Sequence, residues 1–586
     1  MKTNNTYIKF AAFAAVLLFN SCNDQYLERY PLSELAPENY FRTASELQTY
    51  TNAFYSDLPD ALAIHYNNPN QGDDEARNTL AAEFQGTRTT PSSGGGWSWT
   101  VLRKINFYLA NSHKCADEGA RLQYDGVARF FRAYFYFDKI QRFGDVPLYE
   151  TVNELDDPAM FKARDSRKIV FAKVIEDLDY AIANCRDTKS AQLITKWTAL
   201  AYKSRMCLFE GTFRKYHGLG DWEAILEEGA KAADELMKSN TYSIYKSDVK
   251  TAYHELFIAE DAIASEMILS RQYSAAVPYV HSANFYILSA SYGRPGMVKQ
   301  LVNSYLMKDG TRFTDKPNFE KIGFYEETQN RDPRLSQTIR TPGYKRIGAT
   351  TTSVPDFATS VTGYQYIKYI LAPAFDAGQS TNDMPIIRYA EVLLNYAEAK
   401  AELGNLTQAD IDRSIKLLRD RVGMPNLLLS AANSAPDPYL LASYPHVTKS
   451  GQTGAILEIR RERRIELVKE GLRYQDLLRW KEGAKLAQPF YGMYFSGAGE
   501  YDLDQDGKLD LVIYQGTAPT KKPGVQYQKL GELVLENGSN GGRIVNLPDI
   551  DKKWIESKDY YYPIPTQELQ LNDKLEQNEG WDKSGT

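Results

Sequence analysis

IIRYAEVLLNYAEAKAELGNLTQADIDRSIKLLRDRV, residues 386–422, decides the fold class. Ile386, Ala390, Leu393, Ala397 and Ala401 recur every three or four residues, which lines them along one face of an α-helix. LGNLTQA interrupts the stripe, and Ile411, Ile415, Leu418 and Val422 resume it. Two antiparallel helices joined by a short turn follow. The same period returns at about 124–143, 167–184, 195–211 and 221–238. The chain therefore reads as mainly α, with the helical scaffold at 40–270, 385–425 and 455–482.

Helix pairs with Ala at close-packing positions look like tetratricopeptide repeats, but their spacing is irregular, so they read as degenerate repeats embedded in a globule. By contrast, 272–384 and 485–547 carry Gly, Pro, Asn, Thr and Tyr without a helical period. They read as loop-rich insertions with short strands, laid against the helical half. AILEIRRERRIELVKEGLRYQDLLRW, residues 455–480, sets Glu458, Glu462, Glu466 and Glu470 four apart, with Arg461, Lys469 and Arg473 three residues after Glu458, Glu466 and Glu470. This predicts a charge-laced structural helix with surface ion pairs. ARFFRAYFYFDKIQRFGDVPLY, residues 128–149, is an aromatic core helix ended by Gly144 and Pro147.

The chain opens on an address. Lys2 and Lys9, the apolar run FAAFAAVLLF at 10–19 and Ser21 before Cys22 have the order of a secretory signal. Ten apolar residues span only about 15 Å as a helix, half of the roughly 30 Å hydrocarbon core, so the run is too short to be a membrane span. Removing residues 1–21 takes away two lysines and no acid, which moves the net charge from −6 to −8 and leaves no electrostatic case for nucleic acid. Cys115, Cys185 and Cys207 form neither a zinc pattern nor a disulfide scaffold.

RRERRIELVKEGLRYQDLLRW, FRAYFYFDKIQRFGDVPL, SIKLLRDRVGMP, YLERYPLSELAPENYF and YYPIPTQELQLNDKLEQNEGW are similar to signatures of the SusD/RagB family of outer-membrane nutrient-binding lipoproteins. The resemblance extends from Cys22 to Trp581. It implies one unit over 22–586, a tetratricopeptide-like scaffold carrying an irregular ligand-binding half. It also implies lipidation at Cys22, with Phe19 and Asn20 departing from the usual flank, and a place on the outer surface of the outer membrane. There the protein would cap a SusC-like TonB-dependent transporter and bind oligosaccharide or polysaccharide without cleaving it.

A sugar ring offers an apolar face and a rim of hydroxyls, so a binder needs aromatic platforms and side chains that form paired hydrogen bonds. Trp97 and Trp99 follow a flexible-looking glycine run, and the family places a platform tryptophan near this position. One of the pair closing the core beneath the loop is the other reading. Asp73, Asp74 and Arg77 form a polar loop resembling the family's acidic stretch, where carboxylates and a guanidinium would grip adjacent hydroxyls. Tyr279, Tyr292 and Arg294 lie in a second family ligand region, 270–296; His281 reads as a loop histidine. Independently of the family, YDLDQDGKLDLVIY at 501–514 places Asp502, Asp504, Asp506, Lys508 and Asp510 at positions one, three, five, seven and nine of a calcium-type loop, for a structural calcium. Position twelve is Ile513, where the full motif needs a bidentate Glu. No other cofactor is called for.

Two other function classes stay open on residues alone. A glycoside hydrolase needs only two facing carboxylates, although HELFI at 254–258 lacks the second zinc histidine and no G-x-S-x-G elbow or phosphate loop is present. A helical scaffold could also capture peptide or protein.

Overall fold

The computed structural model describes residues 40–66, 70–152 and 158–582. The signal segment and Cys22 lie outside the described residues. Among the helices of the described residues, these position the cores and the site: α1 Ala44–Asn52, α2 Thr100–Asn111, α3 Glu118–Phe143, α4 Arg167–Asn184, α5 Lys196–His217, α6 Glu223–Lys238, α7 Tyr389–Glu402, α8 Thr453–Glu466, α9 Arg473–Arg479 and α10 Thr566–Leu571. Local chemistry sets their ends. Thr43 and Glu46 form a capping box on α1, Thr195 caps α5, and Asp117 caps α3, which stops at Gly144 with φ 73°.

α3 packs along α4, and α5 along α6. Small residues permit the second pairing: a Cβ at Gly211 would lie 2.6 Å from a Leu226 methyl, and one at Gly229 would lie 2.8 Å from the Cys207 Cβ. α7 lies against α5, α6 and α8. These helices share one aromatic and aliphatic core, into which Phe130, Phe131, Tyr136 and Ile140 of α3 are fully sunk. The stretch 386–422 differs in detail from its periodicity. Its first residues belong to a strand, and its second helix is split into Gln408–Asp412 and Ile415–Arg421.

A second core lies under the irregular half. Strands β1 Met267–Arg271 and β2 Met384–Arg388 pair antiparallel, Met267 opposite Arg388. β3 Phe490–Phe495 pairs antiparallel with β7 Gly542–Asn546. β4 Gly499–Tyr501 and β5 Leu511–Tyr514 are antiparallel, and β6 Gln526–Lys529 joins β5 in parallel. The 272–384 block also contains short helices, Ala283–Leu288, Lys299–Ser304, Phe324–Thr328 and Arg334–Thr338, too brief to reveal a period in sequence.

α8 joins the two cores, with Ala455, Ile456 and Ile459 in the first and Ile465 in the second. Every residue of it is buried, which corrects the expectation of surface ion pairs. Glu462 accepts from Arg334 at 2.6 Å and from Arg419 at 2.8 Å; Glu466 accepts from Arg388 at 2.7 Å and from Arg421 at 2.5 Å. The helix also stops at Glu466, because Lys469 at φ 66° and Gly471 at φ 77° turn the chain before α9. Beyond that turn Glu470 meets Arg388 and Lys368, each at 2.8 Å. Removing one partner from such a cluster strands a buried charge, which costs roughly 3–5 kcal/mol.

Candidate ligand-binding surface

The glycine run before the tryptophans is not a free hinge. Gly94, Gly95 and Gly96 all have positive φ, and a Cβ at Gly96 would fall 2.6 Å from Arg142 Nε. Arg142 Nε donates to the Gly95 carbonyl at 2.7 Å and Lys139 Nζ to that of Gly96 at 2.5 Å, so α3 holds the loop down. Trp97 is consequently driven into the core, 4% exposed, edge-on to Phe143 at 4.8 Å. It closes the core beneath the loop instead of facing solvent. Trp99, 5.5 Å from Trp97, is half-buried at the start of α2 and packs against Tyr149 at 5.4 Å and Phe135 at 5.6 Å.

Trp97 and Trp99 line a cavity of about 380 Å³ between α2, residues 147–151, residues 160–161 and α10. Tyr149, Met160, Phe161, Leu571 and Leu575 complete its apolar wall. Phe161 is 40% and Leu571 70% exposed, so its rim is apolar and open. Arg103, Asn106, Glu568 and Asn572 supply polar groups, and burial raises the Glu568 carboxyl above its usual range. Aromatic rings with a few polar groups are the chemistry that holds a polyhydroxylated ring.

Asp73, Asp74 and Arg77 do not face this cavity or solvent; all three are buried. Arg473 Nε donates to Asp73 at 2.6 Å and Arg464 Nε to Asp74 at 2.6 Å. Arg77 donates to Glu75 at 2.6 Å and to the His65 and Tyr66 carbonyls at 2.7 and 2.8 Å, and Glu75 is paired in addition with Lys469. Burial would raise the Asp73 carboxyl, yet Arg473 and Arg464 overcome it and hold the group far below the usual range. Burial raises Asp74, with Asp73 adding to the rise. The expectation that these groups grip hydroxyls is therefore corrected: their hydrogen-bonding capacity is taken up inside the fold.

Tyr292 belongs to a second aromatic surface. Its ring lies 4.9 Å from Tyr66, 4.9 Å from Phe285 and 5.0 Å from Tyr286. Tyr66 is exposed, and the Arg77 guanidinium supports its ring from 5.1 Å. Tyr279 is 45% exposed, stacked on Tyr273 at 5.0 Å, its phenol accepting from Arg271 at 3.1 Å. Arg294 sits half-buried at φ 51° and donates to the Phe357 carbonyl, a loop-locking role. His281 is buried against the Asn382 carbonyl at 2.9 Å.

The acidic loop between β4 and β5 brings carboxylate oxygens of Asp502, Asp504 and Asp510 within 4.8 Å of one another. Asp506 instead pairs with Lys508 at 2.5 Å. Gly507 at φ 84° turns the loop, and its N–H donates to Asp502 at 2.8 Å. Burial and the neighbouring carboxylates raise Asp504 and Asp510. Ile513 supplies no ligand because it is a buried β5 residue paired with Gly499.

The model of the SusD family matches residues 265–581. This chain belongs to the SusD family. Among curated relatives, the SusD-like protein P38 of Formosa agariphila is 24% identical over 84% of this chain and 94% of its own. The SusD-like protein P2 of the same organism is 22% identical over 82% and 92%. A SusD-like protein from Bacteroides fragilis superposes with TM-score 0.68 at 21% identity, over 94% of this chain and 100% of the other. A second B. fragilis structure, described as a SusD-like carbohydrate binding protein, gives 0.65 at 22% identity over 92% and 99%. The mainly α scaffold is thus the SusD fold.

In this SusD family protein, sequence reading missed the partners that make each tryptophan or tyrosine part of a surface. Tyr149, Phe161 and Leu571 come from three separate segments around Trp99. Phe285 and Tyr286 sit in the sequence NFYILSASYG beside Tyr292, and the run of aromatics was the available signal.

Proposed function

We propose that this protein captures oligosaccharide or polysaccharide at the cell surface and delivers it to a SusC-like TonB-dependent transporter, without cleaving it. The half-open aromatic cleft around Trp99 is the observation that carries this reading. A relative of the same fold described as carbohydrate binding supports it. Anchoring through a lipid on Cys22 fits a chain in which no helix among the described residues is long and apolar enough to cross a membrane. Among the described residues lining the cleft, Glu568 is the single carboxylate, where a glycosidase needs a facing pair. A structural calcium belongs to the same proposal: Asp502, Asp504 and Asp510 crowd like charges that a cation would neutralise, and Asp506 would have to leave Lys508 to join them.

The test is an array of purified oligosaccharides probed with the mature protein and with Trp99→Ala. Binding to a defined glycan class, weakened at least about tenfold by the substitution, is expected. New reducing ends released from a bound glycan would overturn the non-catalytic reading, and binding unchanged in Trp99→Ala would remove the cleft from the ligand site.

A further inference from the structure

We propose that Asn540 is a site of spontaneous deamidation, at which the backbone nitrogen of Gly541 attacks the side-chain amide and leaves aspartate and isoaspartate. Asn-Gly occurs twice in the chain, at 537–538 and 540–541, both in the turn that leads into β7. The reaction needs an unheld carboxamide and a following nitrogen that can swing onto it, and glycine allows the swing because it has no side chain in the way. Asn537 and Asn540 are both exposed, and among the described residues neither side-chain amide has a hydrogen-bond partner. On local sequence and exposure the two pairs are equal.

The backbone separates them. The peptide unit between Asn537 and Gly538 is held at both ends: its carbonyl accepts from the Asn540 N–H at 3.1 Å, and its N–H donates to the Leu535 carbonyl at 3.0 Å. The unit between Asn540 and Gly541 has a single bond among the described residues, from Gly541 N–H to the Gly538 carbonyl at 3.3 Å, beyond the usual N–H···O range. Turning a peptide unit toward the side chain breaks its hydrogen bonds, so Gly541 is freed at a lower cost than Gly538. Once the Gly541 N–H has lost its proton to solvent base, the nitrogen bonds to Asn540 Cγ. The Cγ–Nδ2 bond breaks, and Nδ2 departs as ammonia with a proton from water. Water then opens the cyclic imide at either carbonyl, giving aspartate or isoaspartate, with no oxidant or reductant involved. Isoaspartate carries the main chain through Cβ and lengthens it by one methylene. The turn has no slack for that, because a Cβ at Gly541 would lie 2.5 Å from the Phe495 carbonyl oxygen and one at Gly497 would lie 2.6 Å from that of Ser539. The product therefore strains the end of the β3–β7 pair, where Phe495 faces Gly542.

The experiment keeps the full mature chain folded at mildly alkaline pH in heavy-oxygen water and follows residues 537 and 540 by peptide mass spectrometry, where each conversion fixes one heavy oxygen. A parallel sample is unfolded in urea, and isoaspartate is counted with an isoaspartyl methyltransferase. In the folded chain residue 540 should convert about tenfold faster than residue 537. In urea, where the turn's hydrogen bonds are lost, the two rates should come together. Asn540→Gln should remove most of the signal, and Asn537→Gln should leave it intact. The proposal is overturned if the folded chain shows no conversion at 540 while the urea sample converts. Conversion of 537 as fast as 540 in the folded chain also overturns it, as does a preference for 540 that urea leaves unchanged.

Discussion

Residues 73–77 and 97–99 both precede α2, both resemble ligand loops in sequence, and the fold uses them in opposite ways. Asp73, Asp74 and Arg77 are enclosed by Arg464, Arg473 and Glu75, whereas Trp99 stays half-open at the edge of a cavity. Charge explains the divergence. A buried carboxylate needs a partner and becomes fixed by it, while an indole can be buried on one side and still present the other. The Trp pair repeats the lesson over two residues: Trp97 is core and Trp99 is surface.

The largest effect expected is on the buried side of this contrast. Asp73→Ala leaves Arg473 and Arg464 undercompensated and should cost about 3–5 kcal/mol in urea unfolding, and Trp97→Ala a similar amount through the void it leaves. A loss under about 1 kcal/mol in Asp73→Ala would mean the loop is solvated after all.

Acid should act on the same interior. Burial lowers His217 and His281 from 6.5 to about 4. Below pH 6.5 the unfolded chain therefore binds protons that the folded chain refuses, and stability falls as pH drops through that window. Glu462, Glu466 and Glu75, held below 4.5 by their arginine and lysine partners against the cost of burial, extend the fall below pH 4.5. Asp74, raised by burial, opposes this in part. Urea midpoints measured from pH 7 to pH 4 should decline continuously; a flat profile would contradict the buried-histidine assignments.

On the open side, Trp99→Ala should cost about tenfold in glycan affinity, near 1.4 kcal/mol, with little change in unfolding midpoint. Equal losses of affinity and stability would place Trp99 with Trp97 in the core. The smallest effect expected is at the acidic loop. Calcium at three times its dissociation constant should stabilise the parent by about 0.8 kcal/mol, and Asp502→Asn should abolish that gain.

Much of the helical half was legible because its signal is local. Ala390, Leu393 and Ala397 declare a helix without reference to anything distant, and α4 matches its periodic stretch end to end. The acidic loop was likewise readable as a spacing, and Gly507 takes the positive φ that the motif demands. The buried charges were not legible. Asp74 meets Arg464 across 390 residues of chain, and a carboxylate in GDDEARN looks the same whether water or a guanidinium awaits it.

By itself the sequence determined the helix-rich class and the family signatures, because hydrophobic period and motif spacing are properties of neighbouring residues. Only the tertiary structure decided which polar groups are enclosed in ion pairs and which aromatic faces remain open. That choice depends on residues hundreds of positions apart, and on the rule that a charge leaving water must find its counter-charge there.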